Sequence, residues 1–123
     1  MNFDRSIVPT GRVNMVWQKP IKIIDLIRAG LLIPPLTITK DYYGVTYEAI
    51  IQEDGTVFFQ GKTYNSLSIA GSIVRKSQVC TPKGRPYPST NGWTFWKYYD
   101  SEKHKFELFN TMRKQYLKLK ENM

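Results

Sequence analysis

Two tryptophans and a phenylalanine fall within four positions of the segment Asn91-Gly92-Trp93-Thr94-Phe95-Trp96. No other stretch limits the fold as much. Side chains of this size each bury ~150–250 Å² and dominate the core of a small domain. Read as a strand over Trp93–Tyr99, the alternation puts Trp93, Phe95 and Lys97 on one face and Thr94, Trp96 and Tyr98 on the other. With aromatic side chains on both faces, at least one face must be covered. The Asn-Gly pair in front reads as a turn into that strand.

The rest of the chain supplies short elements around this strand. Residues 1–20 show no sustained period and are interrupted by Pro9, Gly11 and Pro20, so they read as an N-terminal arm or linker. Val13, Met15 and Trp17 alternate briefly, as a short strand or a docked segment would. Residues 21–123 read as the domain proper, including its C-terminal helix. Ile23, Ile24, Ile27 and Leu31 follow helical spacing, and Pro34-Pro35 prevents that helix from continuing. Strand-like runs follow at Thr37–Lys40, Val45–Gln52 and Thr56–Gln60, with a tight turn expected at Asp54-Gly55. Gly61-Lys62 reads as a further turn into Thr63-Tyr64. Ser66 is placed to cap a helix over Leu67–Lys76. Residues 77–92 hold three prolines and two glycines and read as a long loop with a basic tip. Lys103–Lys120 reads as an amphipathic helix with Phe106, Phe109, Met112, Tyr116 and Leu119 on one stripe. The expected fold class is therefore α+β: a small antiparallel sheet with a hairpin, short packed helices and a basic amphipathic C-terminal helix.

Charge is divided unevenly. The formal net charge is +8. Residues 1–61 carry six Lys/Arg and six Asp/Glu, whereas residues 62–123 carry twelve and four. The whole excess thus lies in the half that holds the aromatic segment. A one-sided basic field is the electrostatic footprint of a polyanion binder, although basic surfaces also serve solubility. No apolar run reaches the ~18–20 residues of a membrane span, and no membrane partner is expected. Met1-Asn2-Phe3-Asp4-Arg5 has no basic stretch leading into an apolar core, so no signal peptide is expected. Cys80 is the only cysteine, which fits a reducing compartment.

Several segments, in this order, resemble the RAMA domain (restriction enzyme adenine methylase associated). Ile23-Ile24-Asp25-Leu26-Ile27-Arg28-Ala29-Gly30-Leu31-Leu32 is similar to the family's opening, which ends in Gly-Leu-Leu. Tyr43-Gly44-Val45-Thr46-Tyr47-Glu48-Ala49 is similar to its first aromatic strand, and Asp54-Gly55 to its hairpin turn. Asn65-Ser66-Leu67-Ser68-Ile69-Ala70 resembles its helix start, with Leu67 where proline is usual. Asn91 to Trp96 follows its Asn-Gly-Trp-x-Phe-Trp pattern most closely. The resemblance covers roughly residues 21–99. It implies a DNA-binding accessory module of bacterial methylases, restriction enzymes and chromatin-linked eukaryotic proteins, in at least one case a reader of adenine methylated on its exocyclic amine. The long insert at 77–90 and the basic C-terminal helix resemble the eukaryotic members. That implies a nuclear location for a eukaryotic source, and a cytoplasmic one otherwise.

Groups for catalysis do not converge in the sequence. His104 is the single histidine, expected on a solvated helix surface, and Cys80 has no histidine near it. A zinc site wants several such ligands. Ile33-Pro34-Pro35-Leu36 has the prolines of an adenine-methylase loop but neither its polar acceptor nor its aromatic. Asp41 ahead of Gln60-Gly61-Lys62 loosely echoes metal-dependent nucleases, a spacing that hairpins also produce by chance. The expectation is no catalytic residue, no metal and no cofactor.

The candidate DNA-binding residues are Tyr42, Tyr43, Arg75, Lys76, Lys83, Arg85, Asn91, Trp96, Lys97 and Lys114. Arg75, Lys76, Lys83 and Arg85 would neutralise phosphates, and Lys114 would extend that footprint. Tyr42, Tyr43 and Trp96 would line a groove or stack on bases. Asn91 could read a base edge, because its amide both donates and accepts. Each has a plain structural alternative: core packing for the aromatics, a turn for Asn91, solvated charge for the cations. The expected function is a non-catalytic module on duplex DNA, at its most specific a reader of adenine-methylated duplex. The alternative is a protein-interaction module that docks a methylase, a nuclease or a chromatin protein.

Overall fold

The computed structural model describes residues 20–121. The arm and the alternation at Val13, Met15 and Trp17 lie outside the described residues. In chain order the elements are α1 (Ile23–Arg28), β1 (Leu36–Tyr42), β2 (Val45–Ile51), β3 (Val57–Phe59), β4 (Lys62–Tyr64), α2 (Leu67–Lys76), α3 (Gly92–Phe95), β5 (Lys97–Asp100), β6 (Lys105–Leu108) and α4 (Phe109–Glu121). The six strands form one antiparallel sheet in the order β4-β3-β2-β1-β5-β6. The α+β expectation holds.

The sheet is covered on one face. Ile38, Ala49, Ile51, Val57, Phe59 and Tyr98 point inward from the strands. They meet Leu26 of α1, Leu67, Ala70 and Val74 of α2, Phe95 of α3, and Phe109 and Met112 of α4. Among the described residues the other face carries no helix. There the register sets Thr63, Phe58, Ile50 and Thr37 side by side across β4, β3, β2 and β1. Tyr99 pairs with Phe106 on the same face of β5 and β6, with ring centroids 5.3 Å apart. Phe58, Ile50, Tyr99 and Phe106 are all exposed.

Local chemistry explains each boundary. Ser66 caps α2 by accepting from the Ile69 amide at 3.1 Å, as its position in the sequence implied. The tightest hairpin turns are Tyr43-Gly44 and Gln60-Gly61, where both residues of each pair take positive φ. Asp54-Gly55 makes a wider turn instead, from Gln52 to Thr56. Only Gly55 has positive φ there, and Asp54 Oδ1 accepts from the Thr56 amide and hydroxyl. Those bonds hold the Asp54 carboxyl below its ordinary pKa. Gly55 also lies against the Ile24 backbone, where an added Cβ would meet the amide nitrogen at 3.3 Å.

Two expectations fail in the last third of the chain. The aromatic hexapeptide is not one strand. Gly92–Phe95 forms a helical turn, and the strand begins at Lys97. The reason is Gly92. Its amide donates to Ser68 Oγ at 3.0 Å, and a Cβ on it would sit 2.4 Å from the Leu67 carbonyl carbon. Glycine therefore serves close backbone approach here rather than a hairpin turn. The C-terminal helix also begins later than Lys103. Lys105–Leu108 is β6, joined to β5 by a turn in which Asp100 Oδ1 accepts from the Glu102 and Lys103 amides. His104 occupies that turn with φ 57°, not a helix surface. The spacing of Phe106 and Phe109 fits a helix, but Phe106 belongs to the strand and is exposed.

Candidate nucleic-acid interface

Trp96 is removed from the candidate contacts first. It is fully buried, and its indole Nε1 donates to the Leu67 carbonyl at 3.0 Å. Phe95 and Phe59 meet it edge-on, at 5.4 and 6.0 Å between centroids. A base cannot stack on it. The strand pattern misplaced it, because in a helical turn two adjacent residues can both face inward. Trp93, by contrast, is half-buried with the Arg113 guanidinium over its ring at 5.9 Å.

Arg75 is the hub of a different arrangement. Its Nε donates to the Tyr42 hydroxyl at 3.2 Å, and its Nη1 donates to the Ser89 carbonyl and to Thr90 Oγ1. The guanidinium expected on phosphate is thus engaged in fastening the far end of the 77–91 loop to α2 and to β1. The near end is fastened as well. The Tyr47 hydroxyl of β2 accepts from Gln78 Nε2 at 2.8 Å and lies 3.1 Å from Ser77 Oγ. These bonds lower the Tyr47 pKa. A segment that reads as loose is therefore tied at both ends.

Between those ties the loop folds back over the outward face of α2. It encloses an open recess of about 320 Å³, lined by Ser68, Ile69 and Ser72 from the helix and Arg85, Pro86, Tyr87, Ser89 and Thr90 from the loop. The helix contributes positions i, i+1 and i+4, one face of a turn, while Leu67, Ala70 and Val74 take the opposite face into the core. The recess is mixed in chemistry. Ile69, Pro86 and Tyr87 offer apolar and aromatic surface. Five hydroxyls, counting the Tyr87 phenol, and one guanidinium offer hydrogen bonds.

Ser72 is the one buried polar side chain of the described residues, at 2% exposure. Other hydroxyls of this helix region have partners: Ser66 Oγ accepts from Ile69, Ser68 Oγ from Gly92, and Ser77 Oγ donates to the Val74 carbonyl at 2.6 Å. Ser72 Oγ has none among the described residues. A buried hydroxyl without a partner costs ~1–3 kcal/mol, which a ligand group could recover.

The remaining candidates divide by location. Arg85 lines the recess, and Lys76 and Lys83 are exposed on the helix end and loop that form it. Tyr43 packs edge-on against Tyr42, 4.8 Å between centroids, beside the Arg75 hub. Asn91 caps α3, its Oδ1 accepting from the Trp93 amide at 3.0 Å. Lys97 points from β5 onto the helix-free face, next to Thr39, away from the recess. Lys114 is exposed on α4. The sequence reading missed Ser68, Ile69, Ser72 and Tyr87. The one available signal was Arg85-Pro86-Tyr87-Pro88, an aromatic held between two prolines beside a cation.

Asp41 Oδ1 accepts from Thr46 Oγ1 at 2.6 Å on the helix-free face, whereas Gln60 sits in the β3–β4 turn. Among the described residues no group of three or more His, Cys, Asp or Glu could hold a metal, and no helix is long and apolar enough to cross a membrane. Cys80 is exposed and unpaired.

No curated protein sequence matches the chain significantly. The family model of the Restriction Enzyme Adenine Methylase Associated domain matches residues 9–122, nearly the whole chain. That span includes the aromatic segment, α2 and the recess loop, and it identifies the chain as a member of the RAMA family.

Proposed function

We propose that this RAMA domain is a non-catalytic module that docks on duplex DNA through the 77–91 loop and the adjoining end of α2. A preference for adenine methylated on its exocyclic amine is the finer form of the reading. The observation that carries it is the recess. Apolar, aromatic and hydroxyl groups converge there beside Arg85, in the half of the chain that holds the whole charge excess. Cations around such a site neutralise phosphates and fix register, while the recess supplies discrimination. The family's association with adenine methylases supports a role beside a methylase or restriction system.

The test is a titration against a fluorescent duplex, unmodified and adenine-methylated, at low and moderate salt. Binding that weakens steeply with salt and is tighter to the methylated duplex is expected. Equal binding to both would leave general DNA docking. No binding at low salt would remove DNA as the partner.

A second reading rests on a separate observation. The exposed row of Phe58, Ile50, Tyr99 and Phe106 on the helix-free face suits a protein partner such as a methylase, nuclease or chromatin subunit. It would become the better reading if DNA binding failed.

A further inference from the structure

Resting on the DNA-docking reading above, we infer that the recess between α2 and the 77–91 loop receives a single nucleobase swung out of the DNA stack. Shape carries the inference. Reading a base within the duplex needs a convex element, a helix or two-stranded ribbon that enters a groove ~12 Å wide. Here the outward face of α2 is concave, because Pro86, Tyr87, Ser89 and Thr90 wall it. A duplex offers only the edges of its bases, so a concave site can meet the face of a base only when that base leaves the stack.

The lining fits one planar heterocycle. The volume of about 320 Å³ is at the lower end for small-molecule sites. Tyr87 and Ile69 supply surfaces against which a ring can lie. Ser72 Oγ, buried and without a partner among the described residues, can both donate and accept. Ser68 Oγ accepts from the Gly92 amide and keeps its own proton to donate. Arg85 stands at the same site for the phosphate of the displaced nucleotide. The ties at Tyr47 and Arg75 hold the wall in place before any ligand arrives, so little ordering is left to the binding step.

The test compares two duplexes of one sequence with the intact chain. In one the target adenine is paired; in the other it faces an abasic site, so that little pairing is lost when it swings out. Binding about tenfold or more tighter to the unpaired form is expected. In the same duplexes 2-aminopurine at the target should brighten on binding as it unstacks. Tyr87→Ala, checked by thermal melting to be folded, should bring the two affinities to within about twofold. Equal, salt-sensitive affinity for both duplexes with no change in 2-aminopurine emission would overturn the extruded-base site and leave DNA docking standing. Absence of binding to either duplex would overturn the docking reading and this inference with it.

Discussion

The two sides of this small domain are built to different standards. On the side of the helices, polar groups are spoken for: Ser66 caps α2, Asn91 caps α3, Arg75 joins three partners, and the Trp96 indole reaches a backbone carbonyl. Among the buried polar side chains of the described residues, the exception is Ser72, inside the recess. On the helix-free side, apolar side chains stand in water along a row across the strands, and Asp41 and Thr46 satisfy each other at its margin. The shallow hollow there, lined by Pro35, Ile50, Gln52, Glu53 and Asp54, carries acidic groups where the recess carries Arg85. A polyanion and an apolar partner would choose opposite sides. Under the proposed reading, DNA on the recess side and a protein on the sheet side would not compete.

The contrast can be broken most forcefully at Trp96. Trp96→Ala should cost about 3–5 kcal/mol, because it empties a buried site and removes the indole's hydrogen bond to the Leu67 carbonyl. Denaturant unfolding would read this as a lower midpoint; a change under about 1 kcal/mol would mean that the aromatic segment is not the keystone of the core. Next comes charge. Lys83→Glu combined with Arg85→Glu should leave stability within about 0.5 kcal/mol while flattening the log–log salt dependence of DNA binding by about two units. An unchanged salt slope would move the interface away from the loop. The smallest effect is expected on the open face. Tyr99→Ser with Phe106→Ser should shift stability by about 1 kcal/mol or less and leave DNA affinity unaltered. A loss of DNA affinity in that variant, with its melting temperature preserved, would show that DNA uses both sides.

Much of the fold was legible because its signals are local. The Ser66 cap, the ten-residue helix after it and the hairpin strands follow from period and capping alone. The errors arose where tertiary contact overrode period. Gly92 looks like half of a turn signal, yet its missing Cβ is needed by the Leu67 backbone 25 positions earlier. Phe106 and Phe109 share a helical spacing, yet pairing with Tyr99 pulls Phe106 into a strand. The candidate site was legible in its charge and not in its shape. Lys83 and Arg85 announce themselves by composition. Ser68, Ile69 and Ser72 become a surface only when a loop 13 to 22 residues further along folds over them. Arg75 stood out by charge, but its ties to the loop did not, since nothing in the sequence says that the Ser89 carbonyl lies within its reach.

The double tie of the 77–91 loop has a consequence for how such a domain can change. Both fastenings lie near its ends, at Ser77 and Gln78 and at Ser89 and Thr90, while Lys83 and Arg85 lie between them. The middle is thus a cassette. Its length and side chains can be exchanged while the flanking knots keep the register of α2 and α3. Transplanting that stretch from one member of the family to another would exchange the outer wall of the recess and leave α2 and α3 where they are.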